Sequence, residues 1–347
     1  MIASISKLPL IKVQSLAWKF LLEARSIQKQ WDNRACYLFF DETGHQVSRR
    51  FSYDASSCLW IDENGCWSYA DNLPPAWQSI FDLYLPVLGN AKVGVRVIAH
   101  LGQSIDGCIA TLEGDSFYVT GEENRKHLHC LRALSDAVVV GAGTALADDP
   151  QLTTRAVAGD NPVRVIIDPA ASLPDTLGIC NDAQAKTILL HRADADLSAK
   201  QLSFGPVLAD TTDTTGSTGA TSLQVERWLL PDVADSTAPQ SIVRFLADRG
   251  LRRLFVEGGG ITVSRFFEDK AINRLHLGVA PLLVGKGRPA LQLKGVDSML
   301  AAHRPPCAVF RMGDDVLWDF DIENMHDVDR VVKNSDADTA GAIHRIV

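Results

Sequence analysis

Apolar positions in the first 90 residues predict a helix followed by short antiparallel strands. Between residues 12 and 30, apolar side chains recur at the i, i+3, i+4, i+7 spacing of one helix face. Short apolar runs at residues 37–40 and 59–61 each lead into an Asp-Glu-x-Gly sequence, and the Asn64-Gly65 pair predicts a type I′ hairpin turn. A helix that ends at Leu88, before Gly89, completes a small α+β unit.

From residue 93 onward, short apolar strands alternate with helices. Strands are predicted over residues 93–99, 137–140, 163–167, 187–190, 254–256 and 275–284, and helices over residues 124–134 and 241–249. This alternation is typical of a mainly parallel sheet covered on both faces. We therefore predict a small N-terminal domain of unknown role over residues 1–90, an α/β domain over 91–323 and a flexible tail over 324–347. A low-complexity stretch at residues 210–222 predicts a mobile loop.

Length and charge narrow the class of protein. A chain of 347 residues has room for two or three domains. Its net charge of -8 and pI near 5.6 argue against binding to nucleic acid or to an anionic membrane. No apolar run is long enough to span a bilayer, and the first residues do not resemble a signal peptide. Seven cysteines without a Cys-x-x-Cys pair indicate neither a disulfide framework nor a metal site, so we expect a cytoplasmic protein.

Three consecutive glycines, Gly258 to Gly260, join a predicted strand to a predicted helix. Glycine lets the backbone approach a ligand closely, and the free N–H groups at a helix start attract phosphate. The alternative is a tight strand-to-helix connection in which glycine serves packing. The Gly-x-Gly-x-x-Gly spacing of common dinucleotide-binding folds is absent.

A second candidate segment runs from residue 141 to residue 155 and also follows a predicted strand. It presents Thr144, the adjacent carboxylates Asp148 and Asp149, and Arg155. Ligands in open α/β sheets bind at the carboxyl ends of strands, where these side chains are expected to converge. Alternatively, the Asp-Asp-Pro sequence forms only a capped turn. A third segment, residues 102–107, is predicted as a turn directly after the first strand, which contains His100.

These segments, in this order, resemble the reductase domain of bacterial riboflavin biosynthesis, the C-terminal half of a bifunctional deaminase/reductase. The resemblance is carried by Ser104, Asp106 and Gly107 and by residues 114–121, 131–133, 140–155 and 256–260, and it extends over about residues 93–321. It implies a fold like that of dihydrofolate reductase, a mixed, mostly parallel sheet with helices on both faces. It also implies a homodimer, with residues 275–284 as a strand that is apolar on both faces near the subunit contact.

The resemblance further implies reduction of 5-amino-6-(5-phosphoribosylamino)uracil by NADPH, with hydride transfer to the ribose C1′. The residues carried over for the cofactor are Gly102, Tyr118, Thr144, Asp148 and the turn 259–265, including Gly259, Gly260, Ile261 and Thr262. Those carried over for the phosphorylated pyrimidine are Ser116, Arg132, Leu152, Arg155 and Glu257. Asp148 and His100 are the expected catalytic residues. Paired arginines suit a ribose phosphate, and Glu257 can accept hydrogen bonds from ring N–H or amino groups.

The chain departs from that family in three ways. Residues 1–92 contain neither the His-x-Glu nor the Pro-Cys-x-x-Cys of a zinc deaminase, so we do not expect deamination. Tyr118 stands where tryptophan is frequent. His100 stands where lysine is common, and a histidine can donate a proton near neutral pH.

Other readings of these residues stay open. Arg132 and Glu257 could form a structural ion pair and Ser116 could cap a turn. The chain could also reduce another pyrimidine or a pteridine, or act as a non-catalytic nucleotide-binding scaffold.

Overall fold

The computed structural model describes residues 10–41, 46–117, 119–198, 200 and 225–325. Tyr118, the predicted loop at 210–222 and most of the predicted tail, residues 326–347, lie outside the described residues. Within the described part of the chain, no helix is long and apolar enough to cross a membrane.

The first elements form the predicted α+β unit. It contains helix α1 (Leu10–Lys29), strands β1 (Cys36–Phe40), β2 (Val47–Arg50), β3 (Leu59–Ile61) and β4 (Trp67–Tyr69), and helix α2 (Pro75–Leu88). The strands form an antiparallel sheet in the order β2-β1-β3-β4. Gly89 has a φ of +66°, which explains why α2 ends there.

The turn between β3 and β4 is not the predicted type I′ turn. Only Gly65 has a positive φ (+80°), whereas a type I′ turn also needs a positive φ at Asn64. Asp62 sets the geometry instead, because its Oδ1 accepts the backbone N–H groups of Asn64 (2.9 Å) and Cys66 (2.8 Å). A side-chain oxygen bonded to its own turn therefore overrides the preference of the Asn-Gly pair.

The rest of the described chain forms a large nine-stranded sheet with flanking helices and a separate two-stranded sheet. Its elements are β5 (Arg96–Ser104), β6 (Cys108–Thr111), α3 (Glu122–Leu134), β7 (Ala137–Gly141), α4 (Ala142–Asp148), β8 (Val163–Ile167), α5 (Gly178–Asn181), β9 (Thr187–His191), β10 (Val225–Leu229), α6 (Pro239–Ala247), β11 (Arg253–Glu257), α7 (Gly260–Glu268), β12 (Arg274–Ala280), β13 (Gly287–Pro289), a 3-10 turn (Met299–Ala301), β14 (Cys307–Met312) and β15 (Asp315–Asp321). The strand order of the large sheet is β10-β9-β8-β7-β11-β5-β12-β15-β14, and β6 and β13 pair with each other as the small antiparallel sheet. In the large sheet, all neighbours are parallel except at the edge formed by β15 and β14. The predicted mixed, mostly parallel fold is confirmed.

Strand β5 differs from its prediction at both ends. It starts at Arg96 rather than at residue 93, and it continues past residue 99 to Ser104. The extension has a clear cause, because β12 pairs with β5 from Ile98 to Ser104 and holds that backbone extended. Residues 102–104, which were predicted to be part of a turn, are therefore strand, and the turn itself is confined to residues 105–107.

The prediction that residues 275–284 form a strand apolar on both faces is wrong in two respects. Strand β12 ends at Ala280, and one of its faces carries Arg274 and His276 beside Asp319 of β15. Only the other face, with Leu275 and Leu277, is apolar.

Hydrophobic side chains cover the large sheet on both faces. On one face, a continuous cluster joins α3 to the N-terminal unit, with Phe20, Trp77 and Phe81 packed in the same core as Leu131 and Val138. On the other face, α6 and α7 pack over a second cluster that includes residues of β7, β8 and β11. The boundary proposed near residue 90 thus separates two sheets that share one core.

Candidate active site

A cavity of about 940 Å³ opens at the carboxyl ends of β5, β7, β8 and β11. We call it the carboxyl-end cavity. It lies where ligands bind in open α/β sheets. The predicted site residues that line it are His100, Gly102, Ser116, Thr144, Asp148, Glu257, Gly259, Gly260, Ile261, Thr262 and Arg265. Arg132, Leu152 and Arg155 are not among the lining residues.

The three consecutive glycines are needed for three different reasons. Gly258 has a φ of +144°, a conformation that L side chains rarely adopt. A Cβ at Gly260 would lie 1.9 Å from the carbonyl oxygen of Ala290, so this glycine permits close packing. At Gly259 a Cβ would contact only Oγ1 of Thr144, at 3.2 Å. The packing interpretation is therefore confirmed at Gly260, and close approach of a ligand at Gly259 stays a prediction.

The start of α7 and the start of α4 meet in the carboxyl-end cavity. The N–H of Gly259 donates to Oγ1 of Thr144 (3.0 Å), and a Cβ at Gly141 would lie 2.6 Å from Oγ1 of Thr262. No side chain among the described residues caps the N-terminus of α7. Its free N–H groups and positive dipole end therefore favour an anionic ligand beside Ile261 and Thr262.

The adjacent carboxylates Asp148 and Asp149 have separate roles. Asp149 caps α5, because its carboxylate accepts the backbone N–H groups of Gly178 (2.7 Å) and Ile179 (3.0 Å). Asp148 lines the cavity instead. Desolvation raises the pKa of its carboxyl group, and the positive charge of Arg288 opposes that rise.

Arg288 reaches the cavity from β13, which directly follows a segment that the Ser104–Asp106 motif holds. The Asp106 carboxylate accepts the N–H groups of Val284 (3.2 Å) and Gly285 (2.6 Å), and the Ser104 hydroxyl accepts the N–H of Cys108 (2.9 Å). The motif is therefore structural. Sequence reasoning missed Arg288, although the Gly-Lys-Gly-Arg sequence after a buried strand was a usable signal. It also missed Thr120 and Arg125, which lie on the cavity wall.

Glu257 and Arg132 form a two-pronged ion pair behind the cavity. Nε of Arg132 donates to one Glu257 oxygen at 2.8 Å and Nη2 donates to the other, while Nη1 donates to the carbonyl of Thr153 (3.0 Å). Arg132 is buried, whereas Glu257 lines the cavity. The geometry therefore makes Arg132 a partner that orients Glu257, and its predicted contact with a ribose phosphate stays a prediction.

The segment from Leu152 to Arg155 is held from beneath by α3. Leu152 is buried with a φ of +52°, so its side chain faces the core rather than a ligand. Nδ1 of His129 donates to the carbonyl oxygen of Thr153 (2.9 Å), the backbone nitrogen of Arg155 lies 3.2 Å from the same ring nitrogen, and Arg155 is exposed. Desolvation, reinforced by the charge of Arg132, lowers the pKa of His129 to about 4 and keeps its ring neutral.

His100 is placed on the cavity wall but is otherwise buried, at 4% exposure. Desolvation lowers its pKa to about 4. Its Nε2 lies 3.1 Å from Oδ1 of Asn124, and because an amide oxygen only accepts, the neutral ring donates from Nε2. The expectation that His100 donates a proton near neutral pH is therefore not supported by its surroundings.

His100 belongs to a row of polar side chains that crosses four strands. In register, Glu257 of β11 lies beside His100, His100 beside His276 of β12, and His276 beside Asp319 of β15. Helix α3 supplies partners to this row, and His127 contacts Nδ1 of His276 through its Nε2 (2.9 Å). Strand register aligned these residues, which is why sequence reasoning missed all but Glu257 and His100.

The row continues into the N-terminal unit. The Tyr84 hydroxyl of α2 lies 2.9 Å from Nδ1 of His127, and Nε2 of His276 lies 3.1 Å from Asp319. Burial lowers the pKa of His127 and raises the pKa of Tyr84 well above its usual value, so both stay neutral. Within the described residues, no group of three or more His, Cys, Asp or Glu side chains is placed to hold a metal ion.

These features define an α/β protein with a glycine-rich helix start in a cavity at the carboxyl ends of its strands. The family model of the RibD C-terminal domain matches residues 95–312. This chain therefore belongs to that family, and the resemblance stated from its motifs is confirmed.

Several known proteins are similar to this chain. It is 28% identical to the riboflavin biosynthesis protein RibD of Aquifex aeolicus, over 62% of this chain and 54% of that protein. It is 30% identical to the 2,5-diamino-6-ribosylamino-4(3H)-pyrimidinone 5′-phosphate reductase of Methanothermobacter thermautotrophicus, over 65% of this chain and 98% of that protein. The chain thus matches about half the length of the bacterial relative and nearly all of the archaeal one.

Solved structures agree on the fold. A deaminase/reductase of Thermotoga maritima has a TM-score of 0.54 at 18% identity, covering 89% of this chain and 99% of that one. RibD of Acinetobacter baumannii has a TM-score of 0.55 at 17% identity, covering 88% and 99%.

Proposed function

We propose that this chain is an NADPH-dependent reductase of a phosphorylated ribosylamino-pyrimidine, acting in the cytoplasm in riboflavin biosynthesis. The observation that carries the proposal is the meeting of an uncapped helix start with Glu257 and His100 in one cavity. An anion site and a hydrogen-bonding carboxylate in the same cavity suit two ligands that must react with each other. Membership of the RibD C-terminal domain family supports the same activity.

The residues around Gly259 fit the pyrophosphate of a dinucleotide. Its N–H is already bonded to Thr144, and the first turn of α7 beyond it offers N–H groups and no side-chain cap. Arg265 lines the same wall. When bound, NADPH supplies the hydride. Gly102, Thr144 and residues 259–262 would hold it, and Tyr118 is kept as a further contact from the resemblance.

The substrate would lie between Glu257 and Arg155. Glu257 is held in place by Arg132 and can accept from the amino or N–H groups of a pyrimidine ring. Ser116 lines the cavity, and the exposed guanidinium of Arg155 is the free positive charge of its segment. Arg155 is therefore the better candidate for the substrate phosphate than Arg132, which already has its partners.

Reduction at the ribose C1′ adds one hydride to that carbon and breaks its bond to the ring oxygen. The ring oxygen then takes up one proton and becomes a hydroxyl group. His100 stays neutral and points its Nε2 proton at Asn124, so it suits substrate positioning. Asp148, whose pKa is raised by desolvation, is the better candidate to handle the proton.

Assembly as a homodimer is part of the proposal. The face of β14 and β15 opposite Asp319 exposes Val309 (40%), Val316 (38%) and Trp318 (37%). A second copy covering this face would bury a mostly apolar patch. Light scattering should give a molar mass twice that of one chain. The Trp318→Glu variant should have the mass of a single chain. A monomer at every concentration would contradict this part.

The activity is tested with purified protein, NADPH and 5-amino-6-(5-phosphoribosylamino)uracil, by following NADPH absorbance and the ribitylamino product. Turnover with NADPH and far less with NADH is expected. A Thr144→Val variant, which removes the acceptor for the Gly259 N–H, should raise the KM for NADPH more than that for the pyrimidine. No consumption of NADPH with any pyrimidine would contradict the proposal.

A second substrate is favoured by one observation. The archaeal relative covered at 98% of its length is named as a reductase of the 2,5-diamino compound, and residues 1–92 here carry no deaminase motif. The diamino compound should therefore be tested beside the uracil. A higher kcat/KM for the diamino compound would mean that reduction precedes deamination, and a higher kcat/KM for the uracil would mean that it follows. Reduction of only a pteridine or another pyrimidine would favour the alternative reductase.

A further inference from the structure

A second cavity, of about 640 Å³, lies at the opposite ends of the same strands. We call it the amino-end cavity. It is bounded by α1, by the segment after α2 and by the residues that lead into β5, β7, β8 and β11. It therefore lies at the junction of the N-terminal unit and the large sheet, and none of the predicted site residues lines it.

Basic side chains dominate the amino-end cavity. Its lining carries six of them: Arg25, Lys29, Lys92, Arg96, Arg252 and Arg253. Asp136 and Asp160 are its only lining carboxylates among the described residues, and Arg96 is separately paired with Glu323. The cavity thus has an excess of positive charge in a protein whose net charge is negative.

The carboxylate of Asp136 does not neutralise this excess. Its Oδ2 accepts the backbone N–H groups of Arg252 (3.1 Å) and Arg253 (2.9 Å), and its Oδ1 is shared at 3.7 Å by Arg25 and Lys29. No ion pair in the described part of the chain involves the side chains of Lys92, Arg252 or Arg253.

Three buried polar atoms at this cavity have no hydrogen-bond partner among the described residues. They are Nε of Arg25, Nε of Arg253 and Oε1 of Gln28. Arg25 is only 8% exposed and Gln28 only 7%. A buried guanidinium N–H without an acceptor is unfavourable, and burial accordingly lowers the pKa of both arginines. An anion in the cavity would supply the missing acceptor.

We propose that the amino-end cavity binds a small organic phosphate, with its phosphate at Arg25 and Arg253 and a hydroxyl group of the ligand at Gln28. Paired guanidinium groups match phosphate oxygens in geometry and charge. The free Oε1 of Gln28 needs a donor, which an organic phosphate can offer through a sugar hydroxyl. Leu88, Val93 and Leu251 provide apolar contacts for the rest of such a ligand. The volume is sufficient for a sugar phosphate or a mononucleotide.

The site is tested by calorimetric titration of the full chain with ribose 5-phosphate, inorganic phosphate and ribose at equal ionic strength. Because ribose 5-phosphate could also enter the carboxyl-end cavity, each titration is repeated with the Arg155→Ala variant in the presence of saturating NADPH, which would occupy the start of α7. Binding of ribose 5-phosphate should survive in Arg155→Ala, should be stronger than that of inorganic phosphate, and should be absent for ribose. Melting temperature should rise with ligand concentration.

Variants of the lining residues decide the outcome. Arg253→Gln and Arg25→Gln should weaken binding at least tenfold, and Arg252→Gln, an exposed position, provides a variant that keeps the fold if those two are unstable. Gln28→Leu should reduce the preference for the organic phosphate. The exposed Arg304 lies outside the cavity, and Arg304→Gln should change nothing.

Unchanged affinity in Arg25→Gln, Arg253→Gln and Arg252→Gln would overturn the proposal, as would loss of all phosphate binding in Arg155→Ala. Equal affinity for inorganic and organic phosphate, unaffected by Gln28→Leu, would contradict the hydroxyl contact. None of these outcomes depends on whether the chain reduces a pyrimidine.

Discussion

The two ends of the same parallel strands carry two unlike cavities. The carboxyl-end cavity combines an uncapped helix start and glycines that bring elements together with three lining arginines, Arg125, Arg265 and Arg288. Among the described residues, the amino-end cavity has no helix start or glycine turn of this kind and is lined instead by six guanidinium and ammonium groups from separate segments. The first kind of site leaves a compact motif in the sequence, whereas the second is assembled only when the chain folds.

The largest effects are expected from substitutions in the segment Gly258–Gly260, where one glycine is needed for packing and its neighbour is proposed to contact the cofactor. Gly260→Val should unfold or severely destabilise the protein, by roughly 3 kcal/mol or more, because its side chain would overlap the Ala290 carbonyl. Gly259→Val should keep the fold and lose NADPH binding, since its side chain would meet Thr144 where the pyrophosphate is proposed to lie. Thermal unfolding and fluorescence titration check the pair. Equal loss of stability in both would contradict this division.

The ion pair of Glu257 and Arg132 tests the link between the core and the carboxyl-end cavity. Glu257→Gln leaves the buried Arg132 without a counter-charge and should cost about 3–5 kcal/mol of stability. Adding Arg132→Met should restore most of that stability, yet kcat/KM for the pyrimidine should stay low because the acceptor carboxylate is gone. Recovery of activity in the double variant would reduce Glu257 to a structural role.

Two arginines sharpen the comparison of the cavities directly. Arg155→Ala should weaken pyrimidine binding roughly tenfold to a hundredfold, as expected for about 1.5–3 kcal/mol from a lost charge-assisted hydrogen bond. It should leave NADPH affinity and phosphate binding at the amino-end cavity unchanged. Arg252→Gln should weaken phosphate binding at the amino-end cavity and leave the affinity for the pyrimidine unchanged. Cross-effects of similar size would show that the two cavities are not independent.

The pH dependence of stability is a further test. His100 and His129 have pKa values lowered to about 4 from 6.5, so the unfolded chain binds more protons between these values. Stability should therefore be fully present above pH 6.5 and fall as the pH drops toward 4. Urea unfolding at several pH values measures this slope, which His129→Asn should reduce and the exposed His303→Asn should not. A pH-independent stability in this range would contradict the buried, neutral state of the rings.

Local patterns predicted most of the fold. Strand β8 falls on the predicted residues because its apolar run is bounded by polar turns on both sides. The predicted ends of β5 and β12 were wrong, because pairing with strands from distant parts of the chain decides how far each strand extends. The prediction of a type I′ turn at Asn64-Gly65 was wrong because the preceding Asp62 accepts two backbone hydrogen bonds that fix another turn geometry.

The site divides in the same way. Thr144, Asp148 and the turn after β11 could be placed at the carboxyl-end cavity because their segments follow strands that end in glycines. The pairing of Arg132 with Glu257 was foreseen only as an alternative, because it depends on the face that α3 turns to the sheet. The row through His276 and Asp319 and the basic lining of the amino-end cavity depend on strand register and on the junction with the N-terminal unit, which no local pattern reports.

The most direct test of the central claim is to follow the hydride itself. NADPH deuterated at its transferable position is incubated with the protein and each phosphorylated ribosylamino-pyrimidine, and the product is analysed by mass spectrometry. We expect one deuterium at the carbon derived from C1′, and its loss in the Gly259→Val variant. Unlabelled product, or no product from either pyrimidine while the folded protein still binds NADPH, would contradict the assignment of the carboxyl-end cavity as a reductase site.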